Sequence, residues 1–103
     1  DLTFHHDRQA VTVRDTEVTL TAKEFNLALL LFRNMDRPMS RAHLFETVWG
    51  RSSDIQTRTL DVHISKIRSR LGLRPENGFR LLPVHSFGYR LEKTVSDPVQ
   101  SAE

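Results

Sequence analysis

The stretch Thr21 to Asn34 constrains the fold most. Thr21 and Glu24 have the T-x-x-E spacing of a capping box, in which each side chain satisfies the other residue's free backbone N–H. Phe25, Leu29 and Phe32 then repeat on one face, and Leu27, Ala28, Leu30 and Leu31 widen that face around the helix. A helix apolar over so much of its circumference must be covered on several sides. The 103 residues are therefore expected to wrap around this one core helix, which Asp36-Arg37-Pro38 ends. The chain has no cysteine, which excludes disulfides, thiolate metal sites and a thiol nucleophile. The absence also fits a reducing compartment. Its longest apolar run, Leu27 to Phe32, is far too short for a membrane span.

Short extended segments precede the core helix. Leu2–His5, Gln9–Val13 and Glu17–Leu20 carry β-branched residues in partial alternation, with turns at His6-Asp7 and Arg14-Asp15-Thr16. An antiparallel meander is expected. Ser40 then caps a second helix, with Leu44, Phe45, Val48 and Trp49 as its apolar stripe and Gly50 as its stop. Residues 51–57 contain little that is apolar and read as an exposed loop.

A third helix spans residues 58–71, closed by Gly72. At 100° per residue, Leu60, Ile67 and Leu71 fall within about 60° of Ile64 and form a core stripe. Val62 and Lys66 lie about 160° from that stripe, flanked by Arg58, Thr59, Ser65 and Ser69. His63 and Arg70 border one side, Asp61 and Arg68 the other. Phe79–Val84 and Tyr89–Leu91 then form a hairpin. Its loop is His85-Ser86-Phe87-Gly88, with Gly88 as the residue able to take positive φ. Pro83 assigns its strand to a sheet edge. Residues 96–103 read as a flexible tail after a single domain over residues 1–95.

Net charge is only +2, but it is unevenly placed. Residues 51–80 hold seven basic and three acidic residues, and 12 of the 15 basic residues in the chain are arginine. A helix with one buried stripe and an Arg/Thr/Val/Ser/Lys outer face suits the DNA major groove. There Arg58 and Lys66 can reach guanine or phosphate, and Val62 can meet a thymine methyl. The competing reading is a solvated amphipathic helix. Enzyme signatures are missing: the five histidines show no H-x-x-x-H or H-E-x-x-H spacing, and there is no phosphate-binding loop or nucleophile elbow. No catalytic residue, metal site or cofactor is expected.

Several motifs occur together in register: Leu20-Thr21-x-x-Glu24-Phe25-x-Leu27, Ser40-Arg41-x-x-Leu44, Trp49-Gly50, Arg58 through Arg68, and Gly88-Tyr89-Arg90-Leu91. This arrangement resembles the OmpR/PhoB-type winged-helix effector domain of two-component response regulators, over residues 2–92. The resemblance implies an α+β winged helix-turn-helix: an N-terminal four-stranded antiparallel sheet, three helices and a C-terminal β-hairpin wing. It implies sequence-specific binding to double-stranded DNA on direct-repeat half-sites, in the cytoplasm. It places Arg58, Val62, His63, Ser65, Lys66 and Arg68 where such domains touch DNA. Thr59 and Ser69 join them as hydroxyl donors. Val62 and Lys66 are the base-contact candidates, and Arg58, His63 and Arg68 the phosphate candidates.

Trp49 is open between core packing and an indole–phosphate contact, and Arg68 between an internal ion pair and a phosphate. The wing departs from the pattern. His85 stands at the usual arginine position, Ser86 replaces a glycine, and Pro83 lacks an N–H for a phosphate. Histidine carries less charge than arginine at neutral pH and should serve a narrow minor groove less well. Phe87 is either a plug under the hairpin or an exposed tip, with the tip favoured. Arg51 and Asp54 fall in the loop through which such domains meet RNA polymerase. The resemblance further implies a receiver domain before Asp1 and a partner sensor kinase, with the isolated domain a monomer. The rival function is a winged-helix module that binds protein.

Overall fold

The structure, a computed structural model, describes residues 2–51 and 56–94. Three strands open the chain: β1 (Leu2–His5), β2 (Ala10–Val13) and β3 (Thr16–Thr19). They form an antiparallel sheet in the order β1-β2-β3, with Phe4 opposite Val11 and Val11 opposite Val18. The four-stranded sheet implied by the resemblance has three strands among the described residues. The two turns that divide this stretch, His6–Gln9 and Arg14–Asp15, leave room for three short strands. Positive φ at Gln9 and Arg14 makes both reversals.

Helix α1 (Ala22–Arg33) follows with its capping box formed. The Glu24 N–H donates to Thr21 Oγ1 at 3.2 Å, and the Thr21 N–H donates to Glu24 Oε1 at 3.0 Å. Glu24 is itself buried, and its other oxygen lies 3.6 Å from Arg70 Nε. The start of α1 is thereby tied to the end of the third helix. Helix α2 (Arg41–Trp49) is capped by Ser40, whose hydroxyl accepts from the His43 N–H at 3.0 Å. Helix α3 (Arg58–Arg70) lies across α1 and α2. A 3-10 turn at Pro75–Asn77 leads to the hairpin, strands β5 (Phe79–Val84) and β6 (Gly88–Lys93).

The hairpin belongs to a second sheet that includes a strand the periodicity missed. Met39–Ser40, here β4, pairs with β6 to give the order β4-β6-β5. A two-residue strand has no alternation to detect. β5, which carries Pro83, is indeed the edge. β6 extends beyond the expected Tyr89–Leu91, because pairing continues from Gly88–Val84 to Lys93–Phe79.

The core forms where the three helices and both sheets meet. Leu27, Leu31, Leu44, Leu60, Ile64, Ile67, Leu71, Leu73 and Leu91 are almost fully buried there. An aromatic chain crosses it. Phe4 meets Phe25 and Phe32 edge-on at 5.6 and 5.3 Å, and Phe32 meets Phe79 at 5.4 Å. These contacts join the first sheet through α1 to the base of the hairpin. Among the described residues no helix is long and apolar enough to cross a membrane.

Candidate nucleic-acid interface

Helix α3 divides into two faces as its spacing requires. Leu60, Ile64 and Ile67 are buried. Arg58, Val62, Ser65, Lys66 and Ser69 are exposed, and Thr59, His63 and Arg68 are half-buried at the borders. The exposed face thus presents a guanidinium, an ammonium, two hydroxyls and an isopropyl group together. This is a mixture of donors and apolar surface of the kind that base edges and phosphates engage.

The border residues are held by specific contacts. His63 donates Nδ1–H to the Thr59 carbonyl at 3.0 Å, which leaves Nε2 as its outward nitrogen. Its ring stands edge-to-face with Trp49 at 4.9 Å. Trp49 in turn stacks on Phe45 at 5.2 Å and is itself half-buried. Trp49 therefore bridges the end of α2 to the middle of α3. Arg68 makes neither of the contacts weighed from sequence: Nη2 donates to the Leu81 carbonyl of β5 at 2.8 Å. One of its five N–H donors is engaged there, on the hairpin.

The residue that organises the interface is Asp61, which helical spacing placed only on a flank. Arg41, the first residue of α2, donates to Asp61 Oδ1, and the Tyr89 hydroxyl of β6 donates to the same oxygen. One carboxylate thus joins α2, α3 and the hairpin. The Arg41 guanidinium beside it, reinforced by the tyrosine hydroxyl, holds the Asp61 carboxyl below the usual carboxylate range despite partial desolvation. Burial, together with the carboxylate it donates to, pushes the Tyr89 phenol up. Sequence could have flagged Asp61 only as a lone acid on a basic helix. Its partners lie 20 and 28 residues away.

The hairpin loop is built differently from its expected form. The Phe87 N–H donates to the Val84 carbonyl at 2.9 Å, closing a four-residue turn. The third residue, Ser86, has φ 58°. Positive φ at that position is the type II signature, where glycine is usual. Gly88, expected to supply the positive φ, does not. It is glycine because β4 crosses it: a Cβ there would lie 1.9 Å from the Met39 carbonyl oxygen. The Phe87 carbonyl accepts from the Arg41 N–H at 2.9 Å and so satisfies a free donor in the first turn of α2. The Phe87 side chain points outward, as an exposed tip. His85 is exposed beside it.

Arg51 follows α2, exposed, with Nε 3.5 Å from Glu46. Asp54 lies outside the described residues, as does the tail from residue 95.

Three helices, an antiparallel sheet before them and a hairpin fastened to the third helix define a winged helix-turn-helix domain. Residues 15–91 match the family described as "Transcriptional regulatory protein, C terminal", and the chain belongs to this family. The sensory transduction protein RegX3 of Mycobacterium tuberculosis is 40% identical over 86 residues, which cover 84% of this chain. The aligned region is 38% of RegX3, so the chain spans well under half of that relative. The DNA-binding domain of CpxR from E. coli superposes with a TM-score of 0.75 at 28% identity, covering 90% of this chain and 91% of that one. The Klebsiella pneumoniae RstA DNA-binding domain, solved in complex with the RstA box, gives a TM-score of 0.73 at 25% identity, covering 88% and 90%.

Proposed function

We propose that this domain binds double-stranded DNA sequence-specifically and regulates transcription, as the output domain of a two-component response regulator. In this reading α3 lies in the major groove and the β5–β6 hairpin lies at the neighbouring minor groove. The observation that carries it is the division of α3. One stripe is locked in the core, and the opposite face leaves Arg58, Val62, Ser65, Lys66 and Ser69 exposed on a helix fixed at both borders.

Val62 and Lys66 project furthest from the core and meet base edges. Arg58, Thr59, Ser65 and Ser69 meet phosphates or bases. His63 contacts a phosphate when protonated, since its neutral form here carries its proton on Nδ1. Arg68 retains donors for a phosphate beyond the one on Leu81. The Trp49 indole N–H and His85 complete the DNA-facing set. Arg51 and Asp54 belong to a loop that meets RNA polymerase. A receiver domain phosphorylated by a sensor kinase pairs two copies on direct-repeat half-sites, and the isolated domain is a monomer. The protein acts in the cytoplasm.

Selection from a random duplex pool followed by salt titration tests this. A binding sequence should be enriched, and log affinity should fall with log salt by about 0.9 for each phosphate neutralised. No enrichment over the input pool removes the DNA reading. Salt-insensitive binding to a protein partner would support an interaction module instead.

A further inference from the structure

Among the described residues, two large hydrophobic side chains stand exposed: Val62 at 51% and Phe87 at 46%. Both flank the Asp61 junction. Val62 follows Asp61 on α3. Phe87 receives, on its carbonyl, the N–H of the same Arg41 whose guanidinium bonds Asp61. The tip carrying Phe87 is also rigid. Its N–H is bonded to Val84, its carbonyl to Arg41, and the next residue is pressed against β4.

A phenyl ring held out into water by a clamped turn is costly to leave there unless something covers it. The surroundings indicate what does. His85 and Arg41 lie beside it, and Arg58 and Lys66 project from the helix to which the hairpin is fastened. A cationic frame around an apolar point fits a polyanion with an apolar interior. A rigid apolar side chain is also what is needed to part stacked bases, because a mobile one would lose in ordering what it gained in contact.

We propose that Phe87 enters the minor groove as an apolar wedge and selects a flexible pyrimidine–purine step. The proposal rests on the DNA-binding reading above and extends it. It moves the wing's discrimination from charge, where His85 replaces arginine, to base-step deformability. A TA step unstacks readily and accepts the ring. A stiff A-tract does not.

The test uses this chain and single half-site duplexes from the selected pool, so that contacts between two copies play no part. The flank under the wing carries either a TA step or an A-tract, with 2-aminopurine at the step to report unstacking. The wild type should brighten the probe at TA and favour that flank. Phe87→Ala should bind the TA duplex about tenfold more weakly, in line with loss of one aromatic–base contact, and lose less than about twofold on the A-tract. Phe87→Leu should keep most of the preference. The slope against salt should not change, because no phosphate contact is removed. Equal affinity of Phe87→Ala and wild type on both flanks overturns the wedge, as does an equal loss on both. A wild type that prefers no sequence at all overturns the DNA reading and the wedge with it. Sequence preference retained without dependence on Phe87 removes the wedge alone.

Discussion

Replacing Asp61 by Asn tests whether the junction, rather than the helix surface alone, sets the domain's specificity. The substitution keeps the shape and removes the charge. Two hydrogen bonds to an ionised carboxylate are worth about 1.5–3 kcal/mol each when shielded. Here Asp61 and Arg41 are 40% and 38% exposed, which brings the ion pair down to about 1 kcal/mol or less. The tyrosine hydroxyl retains an amide oxygen as its acceptor. The total loss should be about 1–2 kcal/mol, lowering the melting temperature by about 5–10 °C in a domain of this size. The pH dependence follows from the depressed Asp61 pKa. A carboxyl ionised more readily in the folded state adds stability that is complete above its unfolded pKa of about 3.9. That stability disappears as pH falls through the folded value. The gap between wild type and variant should therefore be full at neutral pH and begin to close below about pH 4. On DNA the two effects oppose. Removing a negative charge beside the interface strengthens non-specific binding, while loosening α2 and the hairpin from α3 weakens specific binding. Melting followed by circular dichroism and titration on specific and scrambled duplexes measure both. The reasoning is refuted if stability is unchanged and both affinities rise together, since Asp61 would then be only a charge near the phosphates.

Other substitutions probe separate links. Lys66→Ala should cost about 1–3 kcal/mol on the selected sequence if the ammonium reads a base. An equal loss on scrambled DNA would make it a phosphate contact. Ser86→Gly should stabilise the fold by about 0.5–1 kcal/mol in urea unfolding, because the serine holds a positive φ that glycine adopts freely. No gain would mean the turn carries no strain. Gly88→Ala should destabilise by more than about 3 kcal/mol or prevent folding, since the added methyl meets the β4 backbone. A soluble variant melting like the wild type would refute that crossing. Ile64→Ala should cost about 2–5 kcal/mol, a residue almost wholly buried at the centre of the core.

Local rules recovered most of the architecture. Thr21 and Glu24 face each other across one helical turn, so their spacing states a complete hydrogen-bonding arrangement. The stripe of α3 is likewise a property of 13 consecutive residues. What local reading missed is short or non-local. β4 exists because Met39 and Ser40 lie against β6, some 50 residues later, and nothing in the two residues themselves requires a strand. Gly88 shows the limit most clearly. Its neighbours in sequence suggest a turn glycine, yet the constraint comes from a carbonyl on another strand, and the turn conformation falls on Ser86.

The same distinction runs through the interface. The outer face of α3 could be drawn from its sequence because exposure there is the complement of a buried stripe. The angle at which that face is presented could not, because it depends on Arg41, Asp61 and Tyr89, which meet only in the fold. These side chains need make no base contact to affect reading. A helix tilted slightly in the major groove loses bidentate geometry at several bases, whereas a helix missing one contact loses discrimination at one base. Damage at Asp61 should therefore lower preference across the whole half-site, and damage at Lys66 should lower it at a single position. The two patterns are separable in one selection experiment, and they divide the residues that aim the helix from those that read with it.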